Sequence, residues 1–226
     1  GDGIADGACD CDGNVEDCAG VCGGDAVVDE CNECVSPNNT DCGCLDPLAE
    51  NYNPEAINDN GLCSGSIVDS NIFTYSGEYN GHLYYMSHNS DTWVNARDIC
   101  EQNSGYLVTS TSEEENDFVS SIISMHFDYD DRGVHGGATD EAEEGVWEWV
   151  TGEVFDFTNW RTGVPAGDEP NGGTSENYLE IYSDGTWNDY YDSLPFMLEI
   201  EQDCAGIYGG DAVVDECGVC NGDGIA

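Results

Sequence analysis

The chain has no lysine and only three arginines against 48 Asp and Glu, a formal net charge of -45 over 226 residues. A surface so short of cations repels nucleic-acid phosphates and anionic membranes, so a nucleic-acid role is set aside. No run approaches the ~20 apolar residues needed to span a bilayer, and membrane insertion is not expected. Neither an initiator Met nor a signal peptide is visible, so the sequence reads as a mature piece of something larger. Self-repulsion on this scale would destabilise a compact state unless counter-cations reduce it. Bound calcium or a saline medium would do so, and most of the acids are expected to be solvated surface.

What the chain does have is cysteine, unevenly placed: nine of the 13 lie in residues 1–63, three in 204–220, and Cys100 stands between. That usage points to an oxidising, extracellular setting, secreted or at a cell surface. The ends are rich in Gly, Asp and Asn and poor in aromatics, so neither could build a core without cross-links. The division expected is a Cys/Asp/Gly-rich repeat at 1–43, a short Cys-bounded module at 44–66, a globular domain at 67–202 and a second repeat at 203–226.

The two ends are copies. Asp17-Cys18-Ala19-Gly20 through Asp29-Glu30-Cys31 returns as Asp203-Cys204-Ala205-Gly206 through Asp215-Glu216-Cys217, and Gly222–Ala226 repeats the opening five residues. A window cut from a tandem array would look like this. Tyr208 stands where the first copy has Cys22, so the bridging cannot be identical in both. With Cys100 free, both ends hold odd numbers of cysteines, and at least one bridge would join the ends or reach a neighbouring copy. The Cys31-x-x-Cys34 and Cys217-x-x-Cys220 spacings allow zinc, but their Gly- and Asp-rich surroundings favour disulfides. Residues 44–63 resemble a Cys-bounded module of bacterial surface proteins, which implies a Cys44–Cys63 bridge. Asp10-Cys11-Asp12-Gly13-Asn14 resembles calcium-binding stalk repeats, with an ion-free polar turn as the alternative. Asn38-Asn39-Thr40 is a glycosylation sequon.

The middle region holds all five Trp. A strand is predicted at His82–Met86, then a helix capped by Ser90 or Asp91, with Trp93, Ala96 and Cys100 on one face and Gly105 as its stop. After a short strand at Tyr106–Val108, a second helix opens on a capping box, Ser112 to Glu115, and buries Phe118, Val119, Ile122 and Ile123. Beyond residue 128 come aromatic and β-branched runs at Val146–Val150, Tyr178–Tyr182 and Phe196–Ile200. Two helices followed by short antiparallel strands and a long loop give an α+β class.

Near the end of this region Glu169-Pro170-Asn171, Glu176 and Trp187-Asn188-Asp189 offer three carboxylates and two amides, oxygens that suit a hard cation. With Trp93, Ala96, Cys100, Gly105, Leu107-Val108, Gly145–Gly152 and Phe157–Trp160, these motifs resemble a C-type lectin domain over about residues 78–202. The resemblance implies that Glu169, Asn171, Glu176, Asn188 and Asp189 hold one Ca2+, that Glu169–Pro170 is cis, and that Glu169, Asn171, Glu176 and Asn188 also bind the sugar. Glu-Pro-Asn implies a glycan with equatorial vicinal hydroxyls, of mannose, glucose, N-acetylglucosamine or fucose type. Asp140 and Glu144 match half of a second calcium site, but Gly172 and Asn177 replace its other acids. That site is expected to stay empty, with a solvated acidic loop as the alternative for the pair. Three of the family's four cysteine positions are Tyr178, Asp192 and Leu198, so Cys100 is expected to be a buried free thiol. The family's Trp-Ile-Gly-Leu segment is Val134-His135-Gly136-Gly137 here, with His135 expected in the core or a strand.

The function implied is calcium-dependent carbohydrate binding within a tandem-repeat adhesin, each weak site gaining avidity from its copies. The alternatives are a structural subunit of a filament or surface layer, and ice or mineral binding. An enzyme is not expected, because no nucleophile motif accompanies the carboxylates.

Overall fold

In a computed structural model the chain divides into two units, Gly1–Ile67 and Val68–Ala226. The structure describes residues 6–10, 12–29, 31–37, 42–127, 133–163, 165, 167–215 and 217–221. The sequon at 38–40, Cys11 and the two Gly-Asp-Gly-Ile-Ala segments lie outside them.

The first unit has little regular structure. Strand β1 (Val27–Val28) pairs antiparallel with β2 (Cys34–Val35), and β3 (Cys42–Gly43) pairs parallel with β4 (Asn58–Asp59). Covalent bonds replace a core: Cys9–Cys22, Cys18–Cys34, Cys31–Cys42 and the expected Cys44–Cys63. The Cys-x-x-Cys residues Cys31 and Cys34 are therefore in disulfides rather than a zinc site. Aspartates shape the turns between them. Asp17 accepts backbone N–H groups of Ala19, Val21 and Ala26 at 3.0, 2.9 and 3.0 Å. Those donors hold its carboxyl below the usual range. Asp10 likewise accepts from the N–H groups of Asp12 and Asn14.

The second copy repeats this plan. Asp203 accepts from Ala205, Ile207 and Ala212, and Cys204–Cys220 matches Cys18–Cys34. The Tyr208 substitution now has a reason. Cys22 bonds Cys9, and the position corresponding to Cys9 in the second copy is Pro195, so both partners of that bridge are absent together. The expected bridge between the ends is not among the described residues: Cys217 is exposed and free.

The rest of the second unit holds β5 (Phe73–Tyr79), β6 (His82–Ser87), α1 (Trp93–Gln102), β7 (Tyr106–Leu107), α2 (Glu113–His126), β8 (Val134–Thr139), β9 (Glu148–Trp149), a 3-10 turn (Gly173–Ser175), β10 (Tyr178–Ile181), β11 (Trp187–Tyr190) and β12 (Met197–Glu201). One antiparallel sheet runs β5-β6-β12-β7, the other β11-β10-β8-β9. The helix caps correct the sequence reading in detail. Thr92, rather than Ser90 or Asp91, caps α1, its hydroxyl accepting from Asn95 N–H. Asp91 supports the turn instead, accepting from Thr92 N–H and the Asn95 amide. After α1 it is Ser104 that takes positive φ, at 64°. Gly105 serves a close approach, since a Cβ there would lie 2.2 Å from the Glu199 carbonyl oxygen. Ser112 caps α2, but Glu115 reaches back one residue further than a capping box, to Thr111 N–H and Oγ1.

Tyr178 and Leu198 pack at two of the positions where the resemblance implied cysteines. Tyr178 stacks on Trp93 with centroids 4.8 Å apart and planes 9° apart, and Leu198 is buried in β12. Cys100 is buried and free, as expected, and burial pushes its thiol pKa well up. The Val134–Gly137 segment forms β8, where a Cβ on Gly137 would meet the Leu107 carbonyl oxygen at 2.3 Å and one on Gly136 would meet Leu179 at 2.7 Å. His135 is fully buried there. Among the described residues, no helix is long and apolar enough to cross a membrane.

Candidate functional site

Three segments converge on β11. Trp187, fully buried, anchors it through edge-on contacts with Trp149, Phe157 and Trp160, whose ring centroids lie 5.5–5.9 Å away. The long loop is tied to this strand by its backbone: Trp187 N–H donates to Asn159 O at 2.9 Å, and Arg161 N–H to Trp187 O at 2.9 Å. Glu169 N–H then donates to Arg161 O at 2.8 Å, which brings Glu169 beside the strand. The Glu169–Pro170 peptide is cis, as the resemblance implied.

Asp189 sits at the centre. It is 2% exposed and accepts backbone N–H groups of Asn171 and Gly172 at 3.0 and 2.7 Å. Its carboxylate thus fixes the loop that carries Asn171. Glu169 and Glu176 are half-buried around it. Burial, then the Asp189 and Glu176 carboxylates, push Glu169 up to about 7 against the opposing pull of Arg161. Burial and Asp189 raise Glu176 as well. Glu169 Oε2 is buried without a hydrogen-bond partner among the described residues. An acceptor-only oxygen left so, beside two more carboxylates, fits a hard cation that takes oxygen ligands.

Asn188 lies next to Asp189 in β11 and is held from behind. Its Nδ2 donates to Glu180 Oε2 at 3.0 Å across the β10–β11 pair. Glu180 itself is 3% exposed. Sequence reading missed Glu180, and only the Glu inside the apolar run Tyr178–Tyr182 could have flagged it.

The half-matched second site is not one solvated loop. Asp140 is buried, its Oδ2 accepting from Gly145 N–H at 2.9 Å while Oδ1 has no partner among the described residues. Glu144 is exposed. Away from both sites, His82, Glu115 and Glu199 form a further cluster, with His82 Nδ1 2.5 Å from Glu199 Oε1.

Residues 89–196 match a family model described as the Lectin C-type domain. Human C-type lectin domain family 10 member A is 30% identical over 122 residues, covering 53% of this chain and 36% of that protein. Halomucin of Haloquadratum walsbyi (strain DSM 16790 / HBSQ001) is 36% identical over 137 residues, covering 54% of this chain and 1% of that protein. The chain thus spans well under two thirds of these relatives. Among solved structures, the mouse scavenger receptor C-type lectin carbohydrate-recognition domain is 26% identical with a TM-score of 0.47, covering 56% of this chain and 93% of that chain.

Proposed function

We propose that the C-type lectin fold carried by this chain, with its family match at residues 89–196, serves as a calcium-dependent carbohydrate-binding module of mannose type in an extracellular adhesin. The observation that carries this reading is the buried, unpartnered Glu169 Oε2 among the carboxylates of Glu176 and Asp189. Glu169, Asn171, Glu176, Asn188 and Asp189 would hold the ion. Calcium, when bound, supplies coordination positions for two neighbouring sugar hydroxyls and charge to offset the carboxylates. The chain's own groups then select the sugar. Carboxylates accept hydrogen bonds from the sugar hydroxyls and amide N–H groups donate to the hydroxyl oxygens, Glu169 pairing with Asn171 and Glu176 with Asn188.

Copies in tandem would raise the avidity of a shallow, wet site. The decisive experiment is retention on a mannose matrix with calcium and release by chelator. The same chain should melt higher with calcium, by about 2.7 kcal/mol of added stability at a hundredfold excess over Kd. Retention that ignores chelator, or no retention on any glycan, rejects the reading.

A further inference from the structure

Asn188 carries an amide whose two ends do different chemistry: its oxygen can face a cation, its nitrogen cannot. Which end faces which way is decided by the group behind it. That group is Glu180, buried in β10 directly opposite Asn188 in the strand register. Its Oε2 accepts Asn188 Nδ2–H at 3.0 Å, and its Oε1 accepts Gly133 N–H at 3.1 Å. The Tyr182 hydroxyl also bonds this carboxylate, and the Arg161 guanidinium lies 4.9 Å from the Tyr182 ring centre. Donors converge on Glu180, so it acts here as an acceptor. An acceptor can be met only by the nitrogen end of the amide.

We propose that Glu180 is a positioning residue that locks the Asn188 amide, nitrogen toward Glu180, leaving Asn188 Oδ1 and one N–H for the ligand. The inference rests on the calcium and sugar reading of the site for its consequence, but the lock itself is a property of the ion-free chain. It also makes an unusual demand on one substitution. In Glu180→Gln the side chain has one oxygen and one nitrogen. Gly133 packs directly on this side chain, where a Cβ would lie 2.5 Å from Glu180 Cγ, and its buried N–H needs an acceptor at that end. The Gln oxygen must therefore stay on Gly133 and its nitrogen must face Asn188. The Asn188 amide then turns over, putting nitrogen where the ion needs oxygen. Adding Asn188→Asp cures this, because a carboxylate accepts from Gln and still offers an oxygen forward. The pair Gln-Asp has the same net charge as Glu-Asn.

Two measurements test the lock. In calcium-free buffer, the Asn188 side-chain amide resonances of a ¹⁵N-labelled chain should show slowed solvent exchange, and E180Q should abolish that protection. Calcium titration by calorimetry, with no sugar present, should show E180Q weakened by about 10–100-fold, as when an outer partner of a ligand is removed. E180Q with N188D should recover most of the loss. Unchanged Asn188 resonances in E180Q overturn the proposal, as does a double variant that folds and binds no better than E180Q. A wild-type chain that binds no calcium but loses amide protection in E180Q supports the lock and counts only against the calcium reading.

Discussion

The indole nitrogen of Trp187 donates to Asn116 Oδ1 at 2.7 Å, and the Asn116 amide in turn donates to Gly185 O at 3.0 Å. One buried side chain on α2 thereby fixes both the strand that carries Asn188 and Asp189 and the turn that leads into it. Asn116 is only 2% exposed, so its hydrogen bonds have no water to replace them.

Replacing Asn116 by Ala should orphan the Trp187 N–H, because Gly185 O retains a second donor in Asn159 Nδ2 at 2.8 Å. Leaving a buried donor unpaired costs about 1–3 kcal/mol. Urea denaturation should show that loss. The cost should shrink in a Trp187→Phe background, where there is no N–H to orphan. Equal costs in both backgrounds would mean that Asn116 acts through packing alone.

The His82–Glu199 pair makes stability depend on pH. Its geometry is close, His82 Nδ1 to Glu199 Oε1, inside a cluster that also holds Thr109 N–H on Glu199 Oε2 and Tyr106 OH on Oε1. The bond to Glu199 raises the His82 pKa against desolvation, and Glu201 and Glu115 add to the rise. A histidine whose folded pKa is raised contributes stability that is fully present below its unfolded value and lost as pH rises through the folded one. Burial raises Glu199 too, against the pull of His82 and Thr109, with the same sign. Melting temperature should therefore fall as pH rises from the ordinary histidine value of 6.5 through the raised folded one, and His82→Gln should flatten that slope. A variant with the wild-type slope would place the titration elsewhere.

How much of this could be read beforehand depended on whether the signal was local. The apolar stripes of α1 and α2 and the order of the lectin motifs lie within short windows, so the helices and the site segments were legible. The Thr92 cap was missed because Ser90, Asp91 and Thr92 can all cap, and only the backbone chooses. Strand β5 and the strand character of Trp187–Tyr190 were missed because Gly77 and the polar Asn188-Asp189 break any alternation. Glu180 and Glu199 were invisible as buried groups, since their partners His82, Gly133 and Thr109 are remote in sequence and a Glu in a strand ordinarily faces water.

The repeats make their own prediction. Asp203 and Asp17 each satisfy three backbone N–H groups of a turn that is closed by a disulfide. Asp203→Ala should loosen that turn and speed reduction of Cys204–Cys220 by dithiothreitol, while leaving the lectin-fold melting transition in place. Asp203→Asn, which keeps one acceptor oxygen, should fall between the two. A reduction rate indifferent to both changes would show that the bridge alone organises the repeat.

Selectivity gives the sharpest test of the proposed sugar chemistry, because it can be changed without changing net charge. Glu169 contributes only acceptors at its side chain, whereas Asn171 contributes an acceptor and two donors. Their backbones are held independently, Glu169 N–H on Arg161 O and Asn171 N–H on Asp189. Exchanging the side-chain chemistry by Glu169→Gln with Asn171→Asp should therefore keep the loop and reverse which side donates. A hydroxyl pair matched to the native order is mismatched in the swapped one, with a donor facing a donor. The native chain should be displaced from a mannose matrix by mannose far better than by galactose. The swapped chain should show the opposite preference in the same competitive elution, still requiring calcium. If the preference is unchanged, Glu169 and Asn171 do not read the sugar hydroxyls.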